Sequence, residues 1–418
     1  MIGAYGVTRF AMDSGERYCL VVDHSNGLPL YYPNLYLTTQ LRNRSVALAT
    51  IEAEASHLVV LLCYLERRGV NLEARLSEKR FFKDFELDAL RDFTQLKLRK
   101  LPVETSASSM FSLEELEESA EKVCNGTQFV RLTAIANYLS WFARHLLDKS
   151  EQGVVDQIDV MCGQIKARRP EKKGRNDNRR DKSLSDEQLD VLFEVIRPGS
   201  DLNPFSDSVH KRNRLIILLL FHLGIRGGEL LNIRIRDIDF SKSQLTIVRR
   251  ADEKDDSRTN EPNAKTLGRL LPLGDVLAKE LHDYITQARR KVPNAQRNDF
   301  LIVTHKEGPT QGQPISKAAY HKVVAVVRAV SPQLYAMSGH MLRHTWNRRF
   351  SERMDGMDSS PTEARQDQVR SFLMGWKEGS GTAAIYNRRF AEKKGHEASL
   401  EMQKNSGTRV PRNLTSDH

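Results

Sequence analysis

The stretch SGHMLRHTW, residues 338–346, gathers two histidines and an arginine within five positions. His340, Arg343 and His344 are three and four residues apart, a spacing that places side chains on one face of a helix. A guanidinium binds phosphate oxygens through two N–H groups at once, and an imidazole adds a hydrogen bond or moves a proton near neutral pH. The stretch therefore predicts a site for an anion such as a phosphate group.

Zinc is the alternative ligand for two histidines at this spacing. Met341 stands where a helical zinc protease has glutamate, and the cationic Arg343 lies between the two histidines. The stretch therefore argues against a metal site, and we predict that the protein uses neither a metal nor another cofactor.

The composition favours a partner of opposite charge. The chain has 418 residues, of which 39% are hydrophobic and 28% charged, values typical of a soluble protein with two domains. The 64 lysines and arginines exceed the 54 aspartates and glutamates, which gives a net charge of +10. A polyanion such as nucleic acid is therefore a better expected partner than an acidic substrate.

The cysteines and the first residues indicate the compartment. Cys19, Cys63, Cys124 and Cys162 lie far apart without a C-x-x-C pair, which argues against a zinc ribbon and a disulfide framework. The N-terminal residues lack a basic start followed by an apolar core, and no apolar run reaches the roughly 18 residues that span a bilayer. We therefore predict a cytoplasmic protein without a membrane partner.

The first half of the chain reads as an arm followed by a helical domain. Residues 1–34 mix aromatic residues with glycine, asparagine and proline, as in SNGLPLYYPN, which predicts an extended or turn-rich arm. Over residues 35–165 apolar residues recur at helical spacing, and one long run ends at Gly69, a residue type common just after helices.

Residues 166–184 are predicted to be a linker. Charge repulsion, Pro170 and Gly174 disfavour a packed element, and the cations suit DNA phosphates without reading bases. A merely solvated hinge is the alternative interpretation. The residues expected to contact DNA are Lys166, Arg168, Arg169, Lys172, Lys173, Arg175, Arg179 and Arg180.

A second domain is predicted over residues 185–395, followed by a tail over 396–418. Ser185 with Gln188 three residues later forms a capping box that opens a helix, and a buried helix closes at Gly224. QLTIVRR and GRLLPLG read as strands of a hairpin with a long polar connection, and the chain is mostly helical again from Lys317. The predicted fold class is mainly α with a small β-hairpin or sheet, that is, α+β.

Two further motifs accompany the H-x-x-R stretch. GIRGGELLNIRIRDIDF precedes it and LMGWKEGSGTAAIYNRRF follows it. In this order, over roughly residues 185–389, the three resemble the tyrosine recombinases of the phage-integrase family, including site-specific integrases of bacterial mobile elements. The resemblance implies six catalytic residues: Arg226, Lys265, His340, Arg343, Trp376 and Tyr386.

The resemblance also implies a role for each residue. Tyr386 would attack a DNA phosphodiester and form a 3′-phosphotyrosyl bond, which keeps the bond energy, so rejoining needs neither ATP nor metal. Arg226 and Arg343 would clamp the phosphate, while His340 would accept the proton of the tyrosine, whose ordinary pKa is about 10.

The remaining roles fall to a donor, an acid and a structural carboxylate. Trp376 would donate its indole N–H to the phosphate, and Lys265 would protonate the leaving 5′ oxygen, with Lys254 as the competing candidate. Glu229 would orient the turn that carries Arg226. The helical first half would be the core-binding domain, and four protomers would act on two duplexes, alone or with sister recombinases or accessory proteins.

Three departures from the family pattern concern geometry. The spacing from Trp376 to Tyr386 is one residue longer than usual. Residues 352–368, ERMDGMDSSPTEARQDQ, read as a surface insertion. Gly227 and Gly228 after Arg226 are expected to loosen a turn that is otherwise more rigid.

Two rival functions stay open at the level of sequence. A catalytically silent relative, acting as a DNA-binding regulator or accessory protein, would lack at least one catalytic group, and none is missing here. A type IB topoisomerase-like enzyme would relax arbitrary supercoiled DNA without a paired site.

Overall fold

The computed structural model describes residues 4–97, 121–148, 151–171, 182–262, 266–357, 361–378, 395 and 398–403. The chain divides into two compact units, Met1–Asn178 and Arg179–His418, and the division lies inside the segment predicted as a linker. Each unit has its own apolar core and one small antiparallel sheet among helices. The predicted mainly helical α+β class is confirmed.

The first unit packs a β-hairpin and a set of helices around one long central helix. Its described elements are β1 (Tyr5–Ala11), β2 (Arg17–Asp23), α1 (Tyr31–Tyr36), α2 (Leu48–Arg67), α3 (Leu72–Ser77), α4 (Asp84–Phe93), α5 (Asn125–Leu146) and α6 (Gln152–Ala167). The hairpin and α5 both pack against α2, and α6 packs against α5.

The N-terminal segment is not an arm, so this prediction is wrong. β1 pairs antiparallel with β2 in a register that sets Val7 opposite Val21, and Tyr18, Cys19 and Val21 are buried in the core of the first unit. The run RYCLVVD buries five of its seven residues, because the strand packs against α2 as well as pairing with β1. Of the glycine and proline signals, Gly15 lies in the turn between the strands and Gly27 and Pro29 follow β2, whereas Gly6 lies within β1 and Pro33 within α1.

The helical run predicted to end at Gly69 is interrupted. After α1 the chain forms a π-helical turn over Leu37–Leu41 and a 3₁₀ turn over Arg42–Arg44, and Ser45 has a left-handed φ of 56°. α2 begins only at Leu48, and it is long and apolar enough by length and composition to cross a membrane. In the first unit it is the core helix: Leu58 and Leu61 are fully buried.

The second unit is built around a buried helix. Its described elements are α7 (Asp186–Val195), α8 (Asp207–Leu223), α9 (Gly227–Leu230), β3 (Ile238–Asp239), β4 (Gln244–Ile247), β5 (Arg269–Pro272), α10 (Asp275–Asp283), α11 (Lys317–Ala329), α12 (Gly339–Asp355) and α13 (Glu363–Met374). α8 carries the long apolar run LIILLLF, and α12, α10 and α9 pack against it.

Local sequence signals position these elements as predicted. The Ser185 hydroxyl accepts from the Gln188 N–H at 3.3 Å, and the Gln188 side chain accepts from the Ser185 N–H at 2.9 Å, which completes the capping box. Gly224 ends α8 with a left-handed φ of 60°, where a Cβ would cause strain. β4 pairs antiparallel with both β3 and β5, so the predicted hairpin strands are confirmed and β3 is an added third strand.

The predicted surface insertion over 352–368 is partly regular structure. α12 continues to Asp355, and α13 begins at Glu363, where the Thr362 hydroxyl accepts from the Arg365 N–H. Gln366 is buried in the second unit. The polar composition of this segment concealed helix ends, because exposed helix faces and loops share polar residues.

Candidate active site

Three elements of the second unit meet at one cleft. The cleft has a volume of ≈ 640 Å³ and is lined by Arg226 at the start of α9, by one side of α11, and by His340 and Arg343 of α12. Arg226 lies more than a hundred positions from the other two along the chain. The fold therefore brings together the three basic side chains that the sequence identified separately.

Arg343 is the most firmly held of the three. It is 1% exposed, and its Nη1 and Nη2 donate to the carbonyls of Gly224 at 2.6 Å and Met374 at 3.0 Å. The guanidinium lies 5.4 Å from the ring centroid of Trp376. A guanidinium has five N–H donors in one plane, so these contacts fix that plane at the wall of the cleft.

A buried carboxylate orients the turn that carries Arg226. The Arg226 N–H donates to Glu229 Oε2 at 2.9 Å, and its Nη1 lies 3.9 Å from Glu229 Oε1. Glu229 is fully buried, with Arg269 Nη2 at 2.9 Å and the Thr266 hydroxyl also donating to it. Burial raises the pKa of Glu229, but Arg269 and Thr266 outweigh burial, so the pKa is lowered and the carboxylate stays charged.

The end of α13 is tied to the same network. The carbonyls of residues 373–375 accept in turn from Arg269 Nε at 2.6 Å, from Arg343 Nη2 at 3.0 Å and from the Leu267 N–H at 3.0 Å. These carbonyls lie at the helix end, where no intrahelical donors remain, so outside donors satisfy them. The segment that leads toward Trp376 is thereby fixed to both arginine-bearing parts of the site.

His340 is the titratable group of the cleft. Its ring stands edge to face against His344, with centroids 4.5 Å apart. Partial burial, and then the like charges of Arg343, Arg226 and Lys182, lower its pKa from the ordinary value of 6.5. A lowered pKa favours the neutral imidazole near pH 7, the form that can accept a proton.

Trp376 packs behind the cleft. It is 7% exposed and shares an apolar cluster with Met374, Trp346 and Leu373. Its backbone N–H donates to the Ser371 carbonyl at 2.9 Å, after the left-handed turn at Gly375. In the described residues its ring thus supports Arg343, and it is not part of the cleft wall.

Comparison with known proteins decides the family. The phage integrase family model matches residues 182–393, a little over half of the 418-residue chain. The chain belongs to the phage integrase family, the tyrosine recombinases. The resemblance inferred from the three motifs is confirmed.

Two individual relatives are similar over different lengths, and one match is longer than the matched domain. Transposase A from transposon Tn554 of Staphylococcus aureus is 26% identical over 330 residues, covering 76% of this chain and 78% of that protein. Tyrosine recombinase XerC of Staphylococcus epidermidis is 26% identical over 166 residues, covering 38% of this chain and 45% of XerC.

Solved recombinase structures are also similar. XerH site-specific recombinase bound to its difH substrate has a TM-score of 0.47 at 18% identity, covering 84% of this chain and 80% of that one. The Tn1549 transposon integrase in complex with transposon right end DNA has a TM-score of 0.38 at 15% identity, covering 80% and 98%.

Two of the six predicted catalytic residues of this recombinase lie outside the described residues, namely Lys265 and Tyr386. The described part of the lysine-bearing connection is well packed. Arg258, which is buried, donates to the carbonyls of Leu231 and Ile315 at 3.1 Å each, and the Asn232 side chain donates to the Pro262 carbonyl. The described part of the connection is therefore anchored beside α9.

Of the residues predicted to contact DNA, three are described. Lys166 and Arg168 lie at the end of α6, so the predicted linker begins as helix, which corrects its first boundary. Arg168 binds Asp88 at 2.7 Å and Asp84 at 3.0 Å, and the Arg169 guanidinium lies 4.5 Å from the Phe129 ring. The described residues end at 171 here and resume at 182, so the others lie outside them: Lys172, Lys173, Arg175, Arg179 and Arg180.

Sequence reasoning missed Arg269 and Tyr320. Arg269 stands in GRLLPLG, where the pattern predicts only a strand, yet it bonds both Glu229 and α13. Tyr320 lines the cleft and reaches Gly227 so closely that a Cβ there would lie 2.9 Å from its ring. The absence of a side chain at Gly227 therefore leaves room for this ring.

Proposed function

We propose that the protein is a site-specific DNA recombinase that cleaves and rejoins DNA strands through a 3′-phosphotyrosyl bond at Tyr386, without metal or ATP. One observation carries the proposal: Arg226, His340 and Arg343 line a single cleft in a chain that belongs to the phage integrase family. Two cations and a proton acceptor beside one another suit a phosphodiester better than a neutral substrate.

Arg226 and Arg343 would bind the non-bridging oxygens of the scissile phosphate. Charge on these oxygens grows during attack, and cations already fixed in place stabilise it without reorganising. The carbonyl bonds of Arg343 and the Glu229 contact of Arg226 supply that fixation. Trp376, whose ring lies against the Arg343 guanidinium, would keep that group in its plane.

The proton steps would use His340 and Lys265. His340 would take the Tyr386 proton as the phenolate oxygen bonds to phosphorus, and Lys265 would give a proton to the departing 5′ oxygen. Rejoining is the reverse: a 5′ hydroxyl attacks phosphorus and the tyrosine leaves. Neither ATP nor a metal ion enters these steps.

Two contacts support Lys265 over Lys254 as the acid. Thr266, the residue after Lys265, donates to the buried Glu229 beside Arg226. Lys254 is exposed in a turn whose flanking residues Glu253 and Asp255 bind Arg234. The proposal therefore keeps Lys265 as the acid.

The substrate would be a specific double-stranded DNA site of a mobile element. The likeness to a transposon transposase over 76% of the chain supports this assignment. Four protomers would exchange strands between two duplexes in the cytoplasm, with sister recombinases or accessory proteins as candidate partners.

The test is covalent capture of DNA. A duplex from the DNA flanking the gene carries a nick just 3′ of the expected cleavage point, so that the short fragment released by cleavage diffuses away. We expect a denaturation-resistant adduct without added metal, and none with Tyr386→Phe. Tyr335→Phe, at a tyrosine that is 80% exposed in the same unit, is the matched control and should behave as wild type.

Each rival function predicts a different result, the first in this assay and the second in a plasmid relaxation assay. Specific binding of the duplex without any adduct would favour the catalytically silent DNA-binding relative. Relaxation of arbitrary supercoiled plasmid by the wild type, with no dependence on sequence, would favour a type IB topoisomerase-like enzyme.

A further inference from the structure

One aromatic ring lies against the starts of both cleft helices. Tyr320 of α11 is 5% exposed and lines the cleft. A Cβ built on Gly227, the first residue of α9, would lie 2.9 Å from Cε1, Cζ and Oη of Tyr320. A Cβ on Gly339, the first residue of α12, would overlap the Tyr320 hydroxyl oxygen.

These two glycines each adjoin a cleft residue. Gly227 follows Arg226, and Gly339 precedes His340. Both have ordinary helical positions, and neither is among the glycines with positive φ, so backbone conformation does not explain them. The space taken by the Tyr320 ring does, because any side chain at either position would push the ring or the helix away.

We infer that Tyr320 is a positioning residue of the recombinase, whose ring sets the separation between Arg226 and the helix that carries His340 and Arg343. The inference rests on the proposed function, since that separation matters because both arginines bind one phosphate. A tyrosine suits a spacer because its ring is rigid and has only two rotatable side-chain bonds. Burial raises its pKa to about 12, so the phenol adds no charge beside the cations.

The two glycine contacts differ in a way that a rescue experiment can use. At Gly339 the hydroxyl oxygen is the obstacle, and the next atom, Cζ, is 3.3 Å away. At Gly227 the ring carbons themselves stand at 2.9 Å. Tyr320→Phe removes the oxygen and keeps the ring, so it relieves the overlap at Gly339→Ala and leaves Cζ at 3.3 Å, whereas the ring carbons stay at 2.9 Å from the new Cβ of Gly227→Ala.

The experiment measures the rate of adduct formation on the nicked duplex at saturating protein, and DNA affinity separately. We expect Gly339→Ala and Gly227→Ala each to slow adduct formation by about 100-fold, the loss typical of a misplacement of ~1 Å, with affinity within about threefold of wild type. Tyr320→Phe alone keeps the ring and should slow adduct formation far less than either glycine variant. Combined with Gly339→Ala it should restore most of the lost rate, and combined with Gly227→Ala it should not.

Two controls separate positioning from general damage. Gly274→Ala lies in the same unit with no atom within 4 Å of the new Cβ and should leave the rate unchanged. The melting temperature of every variant is recorded, since a rate that simply follows stability would point to packing alone. Rescue of the rate in the Gly339→Ala background without a matching change in melting temperature supports the spacer.

The outcomes distinguish this inference from the proposed function. If wild type forms no adduct while binding DNA, the proposed function fails and the spacer role fails with it. If wild type forms the adduct but both glycine variants do too at the wild-type rate, only the spacer is overturned. Loss of activity in Tyr320→Phe alone would also overturn it, because the hydroxyl and not the ring would then be required.

Discussion

Arginine–carboxylate pairs occur in both units, in opposite settings. In the second unit the side chains of Arg269 and Glu229 are 1% and 0% exposed, whereas in the first unit Asp84 and Asp88 of the Arg168 cluster are 71% and 54% exposed. The buried pair also bonds backbone groups of the site, and removing one partner leaves a charge without solvent. The exposed carboxylates of the Arg168 cluster stay hydrated, so losing one ion pair there should change stability little. Burial, more than the pairing itself, thus makes such a pair a positioning device.

Breaking the buried pair should have the largest effect on stability. Arg269→Ala leaves the Glu229 carboxylate buried without its cation, and we expect a loss of about 3–5 kcal/mol in the free energy of unfolding. Urea denaturation of the full chain measures it, with Arg168→Ala as the matched arginine truncation. Similar losses of unfolding free energy in Arg269→Ala and Arg168→Ala would mean that burial of the pair does not matter.

A double variant separates stability from positioning in that pair. Glu229→Leu with Arg269→Met replaces two charges by apolar side chains and should recover part of the stability. It also removes the acceptor of the Arg226 N–H, so adduct formation should stay impaired. Recovery of both properties together would mean that the pair is only structural.

The second prediction concerns the fixed plane of Arg343. Arg343→Lys keeps the charge but gives up the two carbonyl bonds in one plane, and we expect adduct formation to slow by about 100-fold with DNA affinity nearly unchanged. Arg353→Lys, at an exposed position of the same helix, is the control. Equal rates for the two lysine variants would show that charge alone suffices at position 343.

The third prediction is a pH profile set by His340. The neutral imidazole is the active form, so the cleavage rate should rise about tenfold per pH unit below its pKa and level off above it. Because burial and neighbouring cations lower that pKa, the midpoint should lie below 6.5. Lys182→Met removes one of these cations and should move the midpoint upward, while Lys242→Met at an exposed turn should not.

The sequence predicts the site residues that lie in local motifs and misses those that act through distant contacts. Arg226, His340 and Arg343 each stand in a contiguous motif, and the helix and strand signals around them are local, so both their identity and their elements follow from the chain. Arg269 and Tyr320 act through contacts with residues that lie far along the sequence, such as Glu229 and Gly339, and no local pattern marks them. The sequence does not predict the N-terminal hairpin, because glycine, asparagine and proline near the strands indicate turns while Arg17–Asp23 forms a mostly buried strand.

The smallest effect is expected for the exposed basic residues of the first unit, whose contribution to DNA binding can be measured. Lys166 is exposed at the end of α6, whereas Arg168 already binds Asp84 and Asp88. A lysine that neutralises one phosphate contributes about 0.9 to the slope of log affinity against log salt, so Lys166→Ala should reduce the slope by about that amount. Arg168→Ala should reduce it less, because two carboxylates compete with the phosphate for the guanidinium.

Fluorescence anisotropy with a labelled duplex over a range of salt concentrations measures both slopes. If Arg168→Ala lowers the slope as much as Lys166→Ala, Arg168 leaves its carboxylates on DNA. Asp84 and Asp88 would then hold the Arg168 guanidinium in place until a DNA phosphate takes over as its partner. The exposed cluster would in that case also position a cation, but for binding and not for cleavage.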